Sequence, residues 1–172
     1  HVDAPFHHFK AGKTIEQVPL DRYVGRAYVA DLTDVEWAIS AADIAKAVEG
    51  VNDCRILVLK TRNSTELPTW ERFDEQYVYI APDGAEEIVR RGFKTVAFDH
   101  LAVEGYHMEG APTHKIFLGE ADVTIVEGVF LRDVETGYYW FSAAPVRLLG
   151  SDGSPTRAYL IEDPEEAFTG AS

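Results

Sequence analysis

The chain has 172 residues, of which 46% are apolar and one is cysteine, and its formal net charge is −13. This length is typical of one domain with a sizeable core, while the acidic charge repels nucleic-acid phosphates and anionic membrane surfaces. The apolar runs are too short to span a bilayer, and the single Cys54 excludes an internal disulfide. We therefore expect one cytoplasmic domain that binds neither nucleic acid nor membranes.

In the first hundred residues, hydrophobic periodicity predicts alternating strands and helices. Strands are predicted at residues 23–32, 55–61 and 94–99. A first helix is predicted at residues 41–49, with Ser40 as its N-cap, and a second at residues 82–91. The polar residues 62–75 between them are expected to be irregular.

The second half of the chain is richer in strands. One helical turn is predicted at residues 114–118, with Thr113 as its cap. Strands are predicted at residues 123–127, 138–143, 146–149 and 156–161, and the acidic tail at 162–172 is expected to fray. Two modest helices with six or seven strands indicate a mixed α/β or α+β domain.

The first residues carry the strongest chemical signal in the sequence. His1 and Asp3 are two positions apart, so in an extended segment their side chains point to the same side and can reach one metal ion together. Pro5 biases the preceding residue away from helix, and the chain must turn there, which allows His7 to approach the same ion. This spacing favours a metal site over an exposed polar terminus.

Two further residues strengthen this interpretation. Glu127 ends an otherwise hydrophobic strand, and a buried carboxylate needs a partner such as a metal ion or an arginine. His114 begins a short turn before that strand, and with His1 and Asp3 the four side chains form a ligand set that suits zinc or manganese. Asp99 also ends a predicted strand, where it is either a ligand-binding group or a turn former.

The run His1-x-Asp3-x-Pro5-x-His7 resembles the second part of the His-x-Gly-Thr-His-x-Asp-x-Pro-x-His signature of the metal-dependent cyclase family, which includes bacterial kynurenine formamidase and isatin hydrolase. Later segments at residues 98–104, 114–127 and 145–157 are similar to further family motifs in the same order. The resemblance implies a swivelling β/β/α fold with a mixed sheet, extending over residues 1–172 as a single domain. The family has another histidine ligand four positions before His1, so we expect this chain to lack an N-terminal segment.

The resemblance also implies roles for individual residues. His1, Asp3, His114 and Glu127 would be the ligands of divalent metal, zinc or manganese, with two ions expected per site and Asp3 able to bridge them. His7 would be the residue that transfers protons. Metal ions polarise carbonyl groups and lower the pKa of bound water to roughly 7, which suits the hydrolysis of an amide.

The activity that the resemblance implies is metal-dependent hydrolysis of a non-peptide amide bond. An arylformamide such as N-formylkynurenine, a compound of tryptophan catabolism, is the implied small-molecule substrate. A cyclic amide or lactone is an alternative, and an inactive metal-binding interaction protein is another. The family further implies a homodimer or homotetramer. Phe6, Trp70 and Tyr106 either line an aryl pocket or belong to the core, and no substrate-binding residue is identified.

Overall fold

A computed structural model describes residues 1–66 and 75–162, which form ten strands and four helices. The strands are Val2–Asp3 (β1), Val24–Asp31 (β2), Ala38–Ile39 (β3), Ile56–Lys60 (β4), Tyr79–Ile80 (β5), Thr95–Phe98 (β6), Thr124–Glu127 (β7), Gly137–Ser142 (β8), Gly153–Ser154 (β9) and Tyr159–Glu162 (β10). The helices are Ala41–Ala47 (α1), Asn63–Glu66 (α2), Pro82–Arg90 (α3) and Pro112–Leu118 (α4). Single 3-10 turns form at Pro5–His7, Ile15–Gln17 and Leu20–Arg22.

Eight of these strands form one mixed sheet in the order β10-β8-β2-β4-β6-β7-β1-β9. The four central strands, β2, β4, β6 and β7, are parallel, and the strands on both sides are added antiparallel. The remaining strands, β3 and β5, pair in parallel as a small separate sheet. The predicted α/β class with a mixed sheet is therefore confirmed.

The sheet is buried on both faces, which explains why its central strands are almost continuously apolar. Along β4, Leu57 and Leu59 face one core cluster, to which α1, α3 and α4 contribute Ile44, Ile88 and Phe117. Ile56 and Val58 face a second cluster on the opposite side, which β8 and the N-terminal segment help to close. This alternation follows from the two-residue period of a strand.

The first helix begins as its sequence predicts. Ser40 accepts a hydrogen bond from the Asp43 backbone N–H, and Asp43 in turn accepts one from the Ser40 backbone N–H at 2.9 Å. This reciprocal capping satisfies two backbone donors that the first helical turn leaves without an intrahelical partner.

Several predicted elements differ from the structure. The predicted strand at residues 146–149 is wrong, because Val146 and Leu149 are exposed and the ladder position beside β1 is filled by β9 instead. Thr113 is not the cap of α4: the helix begins at Pro112, and the Thr113 hydroxyl donates to the Ile80 carbonyl at 2.8 Å. Asn63–Glu66 is helical where an irregular segment was predicted.

Parts of two predictions lie outside the described residues. These are the irregular segment, at residues 67–74 with Trp70, and the fraying tail, at residues 163–172. The last predicted strand, at residues 156–161, is displaced in the structure toward the C-terminus, where β10 pairs Tyr159 with Ser142 and Glu162 with Tyr139 of β8.

Candidate metal centre

The N-terminal residues lie beside the end of β7 because β1 pairs with β7 in the antiparallel sense. Val2 is opposite Val126 and Asp3 is opposite Ile125. The ladder continues one residue further, since the Glu127 backbone N–H donates to the His1 carbonyl at 3.0 Å. Strand pairing alone therefore brings the first side chains of the chain next to Glu127, which follows His1 by more than a hundred residues.

Four of the predicted site residues meet at this point. The His1 Nε2 atom lies 3.1 Å from Glu127 Oε2 and 3.6 Å from Asp3 Oδ1. The His114 Nε2 atom approaches the other oxygens of the same two carboxylates, at 3.5 Å from Glu127 Oε1 and 3.8 Å from Asp3 Oδ2. Asp3, His114 and Glu127 are buried, while the His1 side chain is 42% exposed and leaves the cluster open to solvent on one side.

His1, Asp3 and Glu127 each offer one ligand atom within 4.8 Å of the other two, a spacing that could hold a metal ion, and His114 approaches the remaining oxygens of both carboxylates. Ligand atoms about 2.1 Å from a tetrahedral zinc ion are separated by about 3.4 Å, close to the spacings observed here. The Asp3 Oδ2 atom is buried and has no hydrogen-bond partner among the residues that the structure describes. A buried carboxylate oxygen without a donor is costly, and a cation would satisfy it. Two imidazoles and two carboxylates suit zinc or manganese equally.

A third carboxylate, Glu104, holds His114 in place. Glu104 Oε2 accepts a hydrogen bond from His114 Nδ1 at 2.7 Å, so the Nε2 atom of that ring is the nitrogen left for a ligand role. Glu104 also accepts hydrogen bonds from the backbone N–H groups of Thr113, at 2.7 Å, and of His114, at 3.2 Å. It therefore replaces the missing side-chain cap of α4 and fixes His114 at the same time.

The site attracts positive charge. Burial alone would lower the pKa of His114, but its hydrogen bonds with Glu104 and Glu127 raise that pKa to about 9. The hydrogen bond with Glu127 likewise raises the pKa of His1. Burial, together with the charge of Glu127, raises the pKa of Asp3 to about 6. Protons and a divalent cation therefore compete for the same ligand atoms.

His7 lies outside this cluster but beside it. Its ring centroid is 6.0 Å from that of His114 and 4.8 Å from that of His8. The His7 Nδ1 atom is 3.1 Å from the Asp152 Oδ2 atom. His8, at 5.1 Å from the His114 ring, joins these imidazoles in a second group of nitrogen atoms within 4.8 Å of one another.

Sequence reasoning missed three residues near the site. They are His8, Glu104 and Asp152. His8 is adjacent to His7 in sequence, so the motif itself could have indicated it, whereas Glu104 is the last residue of the family-like segment at residues 98–104 and no role was predicted for it. Asp152 gave no signal, since it stands in a run of turn-forming residues and reaches His7 only through tertiary structure.

Other residues considered from the sequence are structural or peripheral. Asp99 accepts hydrogen bonds from the Thr61 backbone N–H and hydroxyl group and from the Ser64 backbone N–H, so it organises a turn. Tyr106 is 52% exposed. Burial raises the pKa of the Cys54 thiol to about 11, which disfavours a thiolate mechanism. In residues 1–66 and 75–162, no helix has the length and apolar character needed to cross a membrane.

The fold is that of the cyclase family. The family model described as "Putative cyclase" matches residues 1–105, and the chain therefore belongs to this family.

Three similar proteins carry informative descriptions. Cyclase-like protein 1 of Oryza sativa subsp. japonica is 36% identical over 172 residues, covering 94% of this chain and 60% of that protein. The kynurenine formamidase of Salinibacter ruber is 28% identical over 165 residues, covering 96% and 76% respectively. A solved structure described as a potential metal-dependent hydrolase with cyclase activity is 36% identical with a TM-score of 0.80, covering 92% of this chain and 75% of that one.

The chain spans about three fifths of the length of the cyclase-like relatives of Oryza sativa that it matches, at 61% and 60%.

Proposed function

We propose that this chain carries the metal centre of a hydrolase that cleaves a non-peptide amide bond, with an arylformamide such as N-formylkynurenine as substrate. The observation that carries the proposal is the buried Asp3 Oδ2 atom, which has no hydrogen-bond donor within residues 1–66 and 75–162 and lies 3.8 Å from the His114 Nε2 atom. Membership of the cyclase family and the likeness to a kynurenine formamidase support the reaction class.

In this proposal, His1, Asp3, His114 and Glu127 hold the divalent ion. A bound ion supplies Lewis-acid chemistry, since it polarises a carbonyl group and activates water. The chain positions these ligands through three contacts that are independent of the ion: the β1–β7 pairing, the hydrogen bond from His114 to Glu104, and the hydrogen bond from the Val103 backbone N–H to Glu127 Oε1 at 2.7 Å. Such outer contacts orient ligands before the ion arrives.

His7 is the proposed proton carrier. Water adds to the formyl carbon, the C–N bond breaks, and formate and an aryl amine are released. The proton removed from water and the proton given to the leaving nitrogen must pass through a group near the metal that is not itself a ligand. His7 suits this role because its ring lies 6.0 Å from that of His114, while its Nδ1 atom is occupied outside the cluster.

The test uses the natural full-length protein, stripped of metal and reloaded separately with zinc and with manganese. We expect formate release from N-formylkynurenine with at least one metal, and no release from the metal-free protein. Isatin serves as the cyclic-amide substrate, and its preferential hydrolysis would assign the alternative specificity. Metal binding without hydrolysis of either substrate would contradict the enzymatic proposal and favour a metal-binding interaction protein.

The same sample tests the proposed homodimer or homotetramer by sedimentation velocity.

A further inference from the structure

Asp152 is a carboxylate that hydrogen-bonds to the proposed proton carrier, His7. Its Oδ2 atom lies 3.1 Å from His7 Nδ1, although the two residues are 145 positions apart in the sequence. None of the four proposed metal ligands takes part in this contact. The Asp152 carboxylate therefore contacts His7 without being part of the proposed cation cluster.

The backbone fixes Asp152 firmly against the N-terminal motif. The Ala4 backbone N–H donates to the Asp152 carbonyl at 2.8 Å, and the two residues after Asp152 form β9 on the edge of β1, with Gly153 opposite Asp3. A Cβ atom at Gly153 would lie 2.7 Å from the Val2 carbonyl oxygen, so this close approach requires glycine. The position of Asp152 is thus set by the same strand that carries His1 and Asp3.

The backbone of His7 is held by Ala4, the same residue that binds the Asp152 backbone. The His7 backbone N–H donates to the Ala4 carbonyl at 2.9 Å, within the single 3-10 turn of Pro5–His7. Ala4 therefore binds Asp152 through its N–H group and His7 through its carbonyl. Ala4 is fully buried, so it anchors the backbone of both partners, while the side chains of His7 and Asp152 are 38% and 56% exposed where they meet.

An ionised carboxylate only accepts hydrogen bonds, so the imidazole nitrogen that bonds to it must carry the proton. The contact with Asp152 therefore selects the tautomer of neutral His7 with hydrogen on Nδ1 and a free electron pair on Nε2. Histidine nitrogens are distinct in this way, and the bond made by one sets the role of the other. The Nε2 atom is then the atom able to accept a proton from water.

We propose that Asp152 is a positioning residue, which holds His7 in the Nδ1–H tautomer and aims its Nε2 atom at the reaction. The catalytic part of this statement rests on the proposed function, whereas the tautomer does not.

The first test compares the kinetics of three substitutions with those of the wild-type protein. Asp152→Asn keeps the shape but loses the charge and lets the amide donate to Nδ1; Asp152→Ala removes the contact; Asp152→Glu restores a carboxylate. We expect kcat to fall about 10–100-fold in the first two, with KM and metal content nearly unchanged. Asp152→Glu should retain more activity than either. Asp133→Asn, which removes an exposed acid from another loop, should behave as wild type.

The second test needs no activity. Nitrogen-15 spectra of histidine-labelled protein, recorded well above the ordinary histidine pKa of about 6.5, report which nitrogen of His7 carries hydrogen. We expect Nδ1–H in the wild type and a mixed or Nε2–H population in Asp152→Asn, with His7→Gln used to assign the signals.

Two results would overturn the proposal: an Nε2–H tautomer in the wild type, or wild-type kcat in both Asp152→Asn and Asp152→Ala. If the full-length protein hydrolyses no amide, the proposed function fails, and the spectra still decide whether Asp152 sets the tautomer.

Discussion

Two buried carboxylates lie at the ends of neighbouring parallel strands and have different surroundings. Asp99 follows β6, and Glu127 ends β7, where it pairs with Phe98 in the register of the two strands. Asp99 accepts three hydrogen bonds of 2.7–3.2 Å from Thr61 and Ser64, all from protein donors. Glu127 receives one backbone N–H, and its two oxygens also face imidazole nitrogens.

The difference shows how a structural carboxylate can be told from a ligand. A carboxylate whose lone pairs are filled by N–H and O–H donors has little left to offer an ion. The oxygens of Glu127 and Asp3 instead face other potential ligand atoms, and that arrangement is favourable only when protons or a cation lie between them. Burial raises the pKa of Asp99, whereas for Glu127 the hydrogen bonds with His1 and His114 outweigh burial and lower the pKa.

The largest expected effect is a loss of metal affinity, which distinguishes Glu127 from Asp99. Glu127→Gln should reduce the affinity for zinc or manganese by more than about 100-fold, because loss of a ligand exceeds the usual effect of losing an outer contact. Asp99→Asn should leave metal content unchanged. Metal analysis after dialysis, with titration calorimetry on the metal-free protein, measures both. Retention of metal by Glu127→Gln would remove that residue from the ligand set.

A second expected effect separates catalysis from binding. His7→Ala should lower kcat by about 10²–10⁴-fold, the range of general acid–base catalysis, while the metal content stays near that of the wild type. The reason is that the carboxylate cluster lies apart from His7, whose Nδ1 atom bonds to Asp152. Loss of metal in parallel with activity would show that His7 is a ligand.

The contrast between the two acids was only partly predictable from the sequence. The two-residue spacing of His1 and Asp3 predicts that both face one side, and the polar end of an apolar strand marks Glu127 as unusual. Periodicity cannot reveal that β1 pairs with β7, because a strand of two residues has no measurable period. The grouping of His114 with the N-terminal residues followed from the chemistry of the four side chains as a ligand set, and the family resemblance implied the same set.

Two of the residues that sequence reasoning missed, Glu104 and Asp152, act through tertiary contacts. Glu104 sits in a loop, and its bonds to Thr113 and His114 depend on how that loop packs under α4. The position of Asp152 depends on β9, the strand that directly follows it. The sequence instead predicts a strand at residues 146–149. Because register decides which side chains face the site, this error in the strand assignment left the contact between Asp152 and His7 unpredicted.

Removal of the charge on Glu104 should have an intermediate effect. Glu104→Gln is expected to weaken metal binding about 10–100-fold, the usual result of changing an outer-shell partner of a ligating histidine. The Gln side chain keeps one oxygen, which can still accept the Thr113 backbone N–H, so α4 should persist. Titration calorimetry gives the affinity, and circular dichroism checks the helix content. Wild-type affinity in this variant would mean that Glu104 only caps the helix.

Substitution of Asp99 should lower the stability of the fold and leave metal binding unchanged. Asp99→Asn is expected to lower the free energy of unfolding by about 1–3 kcal/mol, because the amide group replaces an acceptor facing the donors of Thr61 and Ser64. Urea unfolding of metal-free protein measures the change, and Asp133→Asn serves as the exposed control. An unchanged stability together with loss of metal would reverse the roles that we assign to Asp99 and Glu127.

The most gradual expected effect is the pH dependence of metal binding. With a pKa of about 9, His114 of the metal-free protein is protonated near neutral pH, and a cation must displace that proton. Affinity should therefore rise about tenfold per pH unit between roughly pH 7 and 9 and then level off. Below about pH 6, protonation of Asp3 should steepen the dependence.

Calorimetry in buffers of different ionisation enthalpy counts the released protons, and we expect about one per ion near pH 7.5. Asp99→Asn should leave this number unchanged, because Asp99 bonds to protein donors and not to the cation cluster. Glu104→Gln should reduce it, since the hydrogen bond with Glu104 is the largest of the contacts that keep His114 protonated. The opposite result is a number of released protons that is unchanged in Glu104→Gln but altered in Asp99→Asn. That result would contradict the assignment of the released proton to His114, and with it the distinction between Asp99 and the metal ligand Glu127.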